Sequence, residues 1–182
     1  MTNETQVKLD LGCGPNKKEG FIGVDSLPFD GKVDVVCDLG SDKWPWEDAS
    51  VDEIHCSHFL EHLTARQRIH FWNELYRVLK LGAGGQLITP YWGAARAYGD
   101  PTHQWPPVSE WHFLYISKAW RKANAPHCDN EHVEWGYACD FETTSGYSMH
   151  PELMTRTPEY QNFAITWYKE GAQDLVTKVT KR

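Results

Sequence analysis

Four short apolar runs in the first third of the chain each stop on a polar or turn-forming residue, and this repetition constrains the fold more than any other feature. Val7 to Leu11 carries Asp10 within it and halts at Gly12, Gly14 and Pro15. Phe21 to Val24 halts at Asp25, Val33 to Cys37 at Asp38, and Val51 to Cys56 at Ser57 and His58. Runs this brief, partly β-branched and bounded by turn formers, read as buried strands. From Thr64 the pattern changes: Ile69, Trp72, Leu75, Tyr76 and Leu79 recur at helical spacing, Thr64 with Gln67 makes a capping box, and Gly82 stands where a helix stop belongs. Gly84 and Gly85 lead into a further strand, Gln86 to Thr89, closed by Pro90. Strands alternating with a helix predict an α/β fold with a mostly parallel sheet. Such sheets bind ligands outside the carboxyl ends of their strands, and the acids at those ends then face the site.

Beyond Pro90 the pattern loosens. Residues 93–108 read as a long loop, a length that in compact domains usually serves function. Ser109 to Ala123 reads as a helix, although Trp111, Phe113 and Tyr115 also alternate like a strand. Phe163, Ile165 and Trp167 alternate, Glu170 and Gly171 make a turn, and Leu175 to Thr180 alternates again, which predicts a C-terminal antiparallel hairpin. No repeat or linker divides the sequence, so residues 1–182 read as one domain. With 41% hydrophobic and 24% charged residues the chain can bury a core, which excludes disorder. Its net charge of -7 disfavours nucleic acid and anionic lipid as partners. No apolar run approaches the roughly 20 residues of a membrane span, and MTNETQVKLD lacks the basic start and apolar stretch of a secretory signal, so a cytoplasmic location is expected. Cys13, Cys37, Cys56, Cys128 and Cys139 have no framework spacing and read as reduced thiols. Nothing in the sequence speaks to oligomeric state.

The segment KLDLGCGPN, residues 8–16, followed by GVD ending at Asp25 and CDL ending at Leu39, resembles the class I S-adenosylmethionine-dependent methyltransferases. VDEIHCSHFLEHL (51–63) and ELYRVLKLGAGGQLI (74–88) resemble that family's fourth strand, following helix and fifth strand. The resemblance implies a Rossmann-like sheet with S-adenosylmethionine as cofactor, held around Asp10, Leu11, Gly12, Cys13, Gly14, Asp25, Asp38, Leu39 and Ser57. It gives Asp25 the ribose diol, Asp38 the adenine amino group and the Leu39 backbone the adenine ring, and it has Asp10 orient the loop near the methionine ammonium. The chemistry of the residues agrees: glycines let the backbone approach a ligand, and a carboxylate can accept two hydrogen bonds from a diol. Two departures stand out. Asn16 falls near the place of the family's third glycine, and only residues 12–20 separate the first two strands. A parallel crossover normally takes about a dozen residues or more, so the first helix is expected to shrink to a turn. A nicotinamide-binding Rossmann fold is disfavoured, because Lys17 stands where G-x-G-x-x-G needs its last glycine and no helix N-terminus fits to hold a pyrophosphate.

Methyl transfer from a sulfonium is an in-line displacement with an excellent leaving group, so placing the nucleophile supplies much of the catalysis. A base is needed only for a poorly ionised acceptor. His58, Glu61 and His62, spaced i, i+3, i+4, would share one face of a helix and offer ligands for zinc or a similar divalent ion. The set resembles the E-x-x-E-H metal motif of ubiquinone-type O-methyltransferases and small-RNA terminal 2'-O-methyltransferases, with His58 in place of the first Glu and His103 comparable to a further histidine. Without metal, His58 or His103 would act as general base. His127, Cys128, His132 and Cys139 match no zinc-knuckle spacing and read as surface loop residues. No D/N/S-P-P-Y/F/W or Pro-Cys motif follows the fourth strand, which speaks against methylation of DNA bases. The reading is therefore O-methylation of a small-molecule or carbohydrate-like acceptor rather than a polymer. A degenerate fold acting as a non-catalytic binding module is the alternative. The aromatic stretch from Tyr91 to Trp120 is expected to close over the acceptor pocket.

Overall fold

A computed structural model of the protein describes residues 6–129 and 136–182. The acid-ended apolar runs become strands β1 (Lys8–Leu11), β2 (Ile22–Asp25), β3 (Val35–Val36) and β4 (Val51–Ser57). β5 (Leu79–Pro90), β6 (Phe141–Ser148) and β7 (Asp174–Lys181) complete a seven-stranded sheet in the order β3-β2-β1-β4-β5-β7-β6. The first five strands pair in parallel, and β7 runs antiparallel to both β5 and β6. The Rossmann-like α/β fold expected from the sequence is thus the one observed, including the antiparallel C-terminal end. Residues 12–21 join β1 to β2 through turns alone, so the first helix is reduced as its length required.

Helix α1 (Ala65–Val78) begins with the anticipated capping box: the Thr64 hydroxyl accepts from the Gln67 amide, and the Gln67 side chain accepts from the Thr64 amide at 3.0 Å. It ends one residue earlier than its periodicity suggests. Leu79 opens β5 instead, and Gly82, at φ +77°, sits in the irregular stretch where β5 slips register against β4. The buried face of α1, carrying Phe71, Trp72, Leu75 and Val78, joins Leu9, Leu11, Ile54, Cys56 and Leu87 of the sheet in the main core. Trp72 organises that core, with Phe71, Phe113 and Phe141 arranged edge-on around it at 5.4 to 6.0 Å. Lys8, Glu53, His55 and Gln86 are partly buried and Lys178 and Thr180 exposed, and all but Lys8 line an open polar cavity of about 290 Å³.

Two expectations are corrected. The strand that pairs with 175–180 is β6, not the segment around Phe163, Ile165 and Trp167. Those three lie on helix α6 (Pro158–Trp167), which starts with Thr157 as N-cap and Pro158 in its first turn. The loop 93–108 contains one turn of helix, α2 (Arg96–Gly99). The stretch after Ser109 is helical in two pieces, α3 (Glu110–Leu114) and α4 (Lys118–Asn124); α5 (Pro151–Met154) precedes α6. Among the described residues no helix is long and apolar enough to cross a membrane.

Candidate active site

The glycine turn is anchored to the neighbouring strand. The amides of Gly12 and Cys13 both donate to the Val24 carbonyl, at 2.8 and 3.2 Å. Gly12 has φ +68°, and a Cβ there would fall 2.3 Å from the Phe59 ring, so only glycine fits. Gly14, at φ +53°, faces open space within 4 Å, where a ligand can approach. Asp25 at the end of β2 accepts from the Gly14 amide at 3.0 Å and from the Leu27 amide at 3.1 Å. Each carboxylate oxygen retains a lone pair for a diol.

Asp10 is nearly buried and bonded on both oxygens, to the Lys18 amide at 2.7 Å and to Nδ1 of His55 at 2.7 Å. It therefore holds the turn from Gly12 to Lys18 in place, with His55 as a support that sequence reasoning missed. The β1–β4 register sets Asp10 directly opposite His55, a pairing invisible without the sheet order. Asp38 accepts from the Gly40 amide and the Ser41 hydroxyl at 2.9 and 2.8 Å. Buried Leu39 follows it, its carbonyl accepting from Trp44 Nε1 at 3.2 Å, while Leu11 and Ser57 end strands β1 and β4 beside the turn. Desolvation, reinforced by Asp10 and Asp25, raises the Cys13 thiol to about 11, so it stays protonated and is no nucleophile at neutral pH.

Beyond β4 the structure corrects one expectation. Residues Leu60–His62 form a single tight turn rather than an α-helix, and His58 sits before it at φ +54°, so His58, Glu61 and His62 do not share a helix face. Nevertheless Glu61, His62 and His103 converge: their potential ligand atoms lie within 4.8 Å of one another, and the two imidazoles meet edge-on with centroids 4.8 Å apart. His58 turns instead between two carboxylates, its Nδ1 3.3 Å from Glu61 and its Nε2 3.8 Å from Asp174, which pairs with Arg96 at 3.0 Å. Glu61 is 3% exposed, and among the described residues neither of its oxygens accepts a hydrogen bond. These groups open on a cavity of about 650 Å³ walled also by Pro90, Gly99, Asp100 and Pro101.

Arg68, which the sequence reading did not single out, ties this site together. Its buried guanidinium donates to the carbonyls of Leu60 (3.2 Å), Glu61 (3.5 Å), Gln104 (3.3 Å) and Pro106 (2.7 Å). The turn carrying Glu61 and His62 is thus clamped to the loop carrying His103. The Gln104 amide adds a bond to the Glu61 carbonyl at 2.8 Å.

The expected aromatic cover divides. Tyr91 and Phe113 are buried, Trp92 and Tyr98 line a separate cavity, Trp111 and Tyr115 line another, and Trp105 is exposed. Of the rejected zinc set, His127 is exposed as expected, but Cys139 is fully buried in the core rather than on a loop surface; His132 lies outside the described residues. All five cysteines are free thiols.

Comparison with known proteins bears on the fold. The methyltransferase domain family matches residues 22–89. A S-adenosylmethionine-dependent methyltransferase from Archaeoglobus fulgidus superposes with a TM-score of 0.66 at 22% identity, over 97% of this chain and 86% of that one. A putative sarcosine dimethylglycine methyltransferase from Galdieria sulphuraria gives 0.56 at 16% identity, over 98% and 78% of the two chains. The small RNA methyltransferase HEN1 gives 0.57 at 11% identity, over 99% of this chain and 23% of its own length. No curated protein matches the sequence. The fold is that of the class I S-adenosylmethionine-dependent methyltransferases, and the methyltransferase-domain match over residues 22–89, with these neighbours, supports an enzyme that uses S-adenosylmethionine.

Proposed function

We propose that the protein methylates a hydroxyl of a small, sugar-like or other uncharged acceptor held in the cleft of His58, Glu61, His62 and His103. The observation that carries this reading is the Glu61 carboxylate, buried without a hydrogen bond beside two imidazoles at the mouth of a large cavity. A buried carboxylate that accepts no hydrogen bond is costly and persists where it serves a ligand. In this reading Gly12 and Gly14 let the cofactor approach the backbone, Asp25 binds its ribose, and Asp38 with Leu39 binds its adenine. Cys13, Leu11 and Ser57 flank its methionine end, and Asp10 holds the loop beneath it.

The acceptor oxygen attacks the sulfonium methyl in line: the C–O bond forms as the C–S bond breaks, and S-adenosylhomocysteine leaves. The acceptor proton must be taken up as the oxygen becomes nucleophilic. His58, with Glu61 and Asp174 on its two nitrogens, has both carboxylates to compensate the imidazolium that proton transfer creates. His103, held by the Ala97 carbonyl at 3.2 Å, is the second candidate. One carboxylate with two imidazoles is a donor set suited to zinc or a similar divalent ion, which would supply Lewis-acid activation of the acceptor hydroxyl.

The deciding experiment is calorimetric titration with S-adenosylmethionine and S-adenosylhomocysteine, followed by methyl-transfer assays with and without chelator. Absence of binding to either ligand at millimolar concentration would overturn the reading. Binding with chelator-insensitive transfer would assign the proton to a histidine alone.

A further inference from the structure

The Thr102 hydroxyl oxygen lies 2.6 Å from an oxygen of Asp100 and 3.0 Å from Nδ1 of His62. Thr102 has one hydroxyl proton, and Asp100, a carboxylate at neutral pH, can only accept. At 2.6 Å that proton must lie between the two oxygens, because bare lone pairs so close would repel. The Thr102 oxygen is then the acceptor toward His62, so Nδ1 of His62 carries the ring proton. The Thr102 amide donates to the same Asp100 oxygen at 2.8 Å and holds the turn closed. His103 reaches the same state by another route: its Nδ1 is 3.2 Å from the Ala97 carbonyl, which can only accept. A neutral imidazole with its proton on Nδ1 has its lone pair on Nε2. Nδ1 is engaged in both rings, so Nε2 is the atom each has left to offer the cleft.

We propose that Thr102, backed by Asp100, is a positioning residue that fixes His62 with its proton on Nδ1 and so presents the Nε2 lone pair beside that of His103. The proposal rests on the reading of this cleft as the acceptor site. Nothing inside the cleft would hold such an arrangement by itself. One ligand atom each from Glu61, His62 and His103 lies within 4.8 Å of the others, and among the described residues neither Glu61 oxygen accepts a hydrogen bond. Three acceptors gathered without a donor repel one another, and histidine in water favours the proton on Nε2, which would place a donor among them. The restraint comes from outside the cluster, through Thr102 on one ring and the Ala97 carbonyl on the other. Thr102 belongs to the loop after α2 and His62 to the turn after β4, so the bond joins two segments distant in sequence. Lone pairs held this way can take the proton of an acceptor hydroxyl or ligate the divalent ion that the donor set suits.

The test is long-range proton–nitrogen NMR of the imidazoles at about pH 8, above the ordinary histidine range, where protonated and bare ring nitrogens give well-separated shifts. Wild-type His62 and His103 should both show a bare Nε2. In Thr102→Val, which keeps the shape and removes the hydroxyl, the His62 proton should move to Nε2. His103, held by Ala97, should stay as it was, which separates loss of the bond from general loosening of the loop. Thr102→Ser should restore the wild-type spectrum. Zinc alone is the probe of where the lone pairs face: it should shift both Nε2 resonances, with affinity about tenfold lower in Thr102→Val and within about twofold of wild type in Thr102→Ser. A wild-type His62 protonated on Nε2, a Thr102→Val spectrum identical to wild type, or Nε2 resonances unmoved by excess zinc would overturn the proposal. Titration of the wild-type protein with S-adenosylhomocysteine reports separately on the methyl-transfer reading: loss of that binding removes the reading and leaves the tautomer result as measured.

Discussion

Replacing Arg68 by methionine isolates what its guanidinium does, because the apolar stem keeps a similar volume while every donor is lost. Two of its four bonds have good geometry, to Pro106 at 2.7 Å and to Leu60 at 3.2 Å; those to Gln104 and Glu61 are longer and contribute less. A hydrogen bond from a charged donor contributes about 1.5 to 3 kcal/mol, so the two strong ones sum to roughly 3 to 6 kcal/mol. Relief of burying the charge offsets part of that sum, since desolvation already pulls the guanidinium below its ordinary range. A net loss of about 3 kcal/mol is expected, measurable as a shift in urea midpoint at unchanged slope. Arg68→Lys should recover only part of it, since an ammonium cannot reach carbonyls on both segments at once. Stability alone would not show that the clamp positions the site. The second readout is the proximity of the His62 and His103 rings, followed by NMR contacts between their imidazole protons, which should vanish in Arg68→Met. A loss below about 1 kcal/mol, or a destabilised variant that keeps those contacts, would refute the reasoning.

Gly12→Ala should abolish cofactor binding, because its Cβ meets the Phe59 ring at 2.3 Å. Gly14→Ala, facing open space, should cost only the roughly 1 to 2 kcal/mol of left-handed backbone, with melting curves and S-adenosylhomocysteine titration checking both. Asp25→Ala should weaken S-adenosylhomocysteine binding by roughly ten- to a hundredfold, the equivalent of about 1.5 to 3 kcal/mol; an unchanged affinity in the folded variant removes the ribose assignment. Glu61→Gln keeps the shape of the side chain but removes the carboxylate 3.3 Å from His58 Nδ1, so it should lower methyl transfer by about a hundredfold in a protein that still folds, and denaturant melts beside activity assays decide. His112 is held down to about 3 by desolvation and then by Arg68, and its Nε2 accepts from Trp72 Nε1 at 3.0 Å. Its folded pKa lies below the unfolded value near 6.5, so its contribution is full above that pH. The contribution falls, by up to about 1.4 kcal/mol per unit, as pH drops toward 3. His112→Gln, which keeps an acceptor for Trp72, should flatten that slope.

What could be read from the sequence was whatever is decided locally. The strand ends at Asp25 and Ser57, the capping box at Thr64 and Gln67, and the shortened link between β1 and β2 all follow from neighbours within a few residues, whereas β3 stops at Val36, two residues short of Asp38. The structure places them accordingly. Partners brought in by sheet order were not readable: His55 supports Asp10 from the adjacent strand, and Arg68 reaches carbonyls 36 and 38 residues onward. β6 escaped notice because it is an edge strand whose sequence, FETTSGYS, has mostly exposed positions and little apolar alternation to detect.

The misreading of α6 has a different cause. Phe163, Ile165 and Trp167 alternate as a strand would, yet of these three Ile165 alone is buried, while Phe163 is 48% and Trp167 72% exposed. Trp167 is apolar where solvation favours a polar residue, so it broke the helical periodicity that would have identified the element. His58 is a similar case: a β-strand's last turn is bent into left-handed backbone, which removes it from the helix face its spacing suggests and sets it between Glu61 and Asp174. Local rules fail where a residue is held for something other than folding. Both failures occur where a side chain lines a cavity, His58 in one and Trp167 in another.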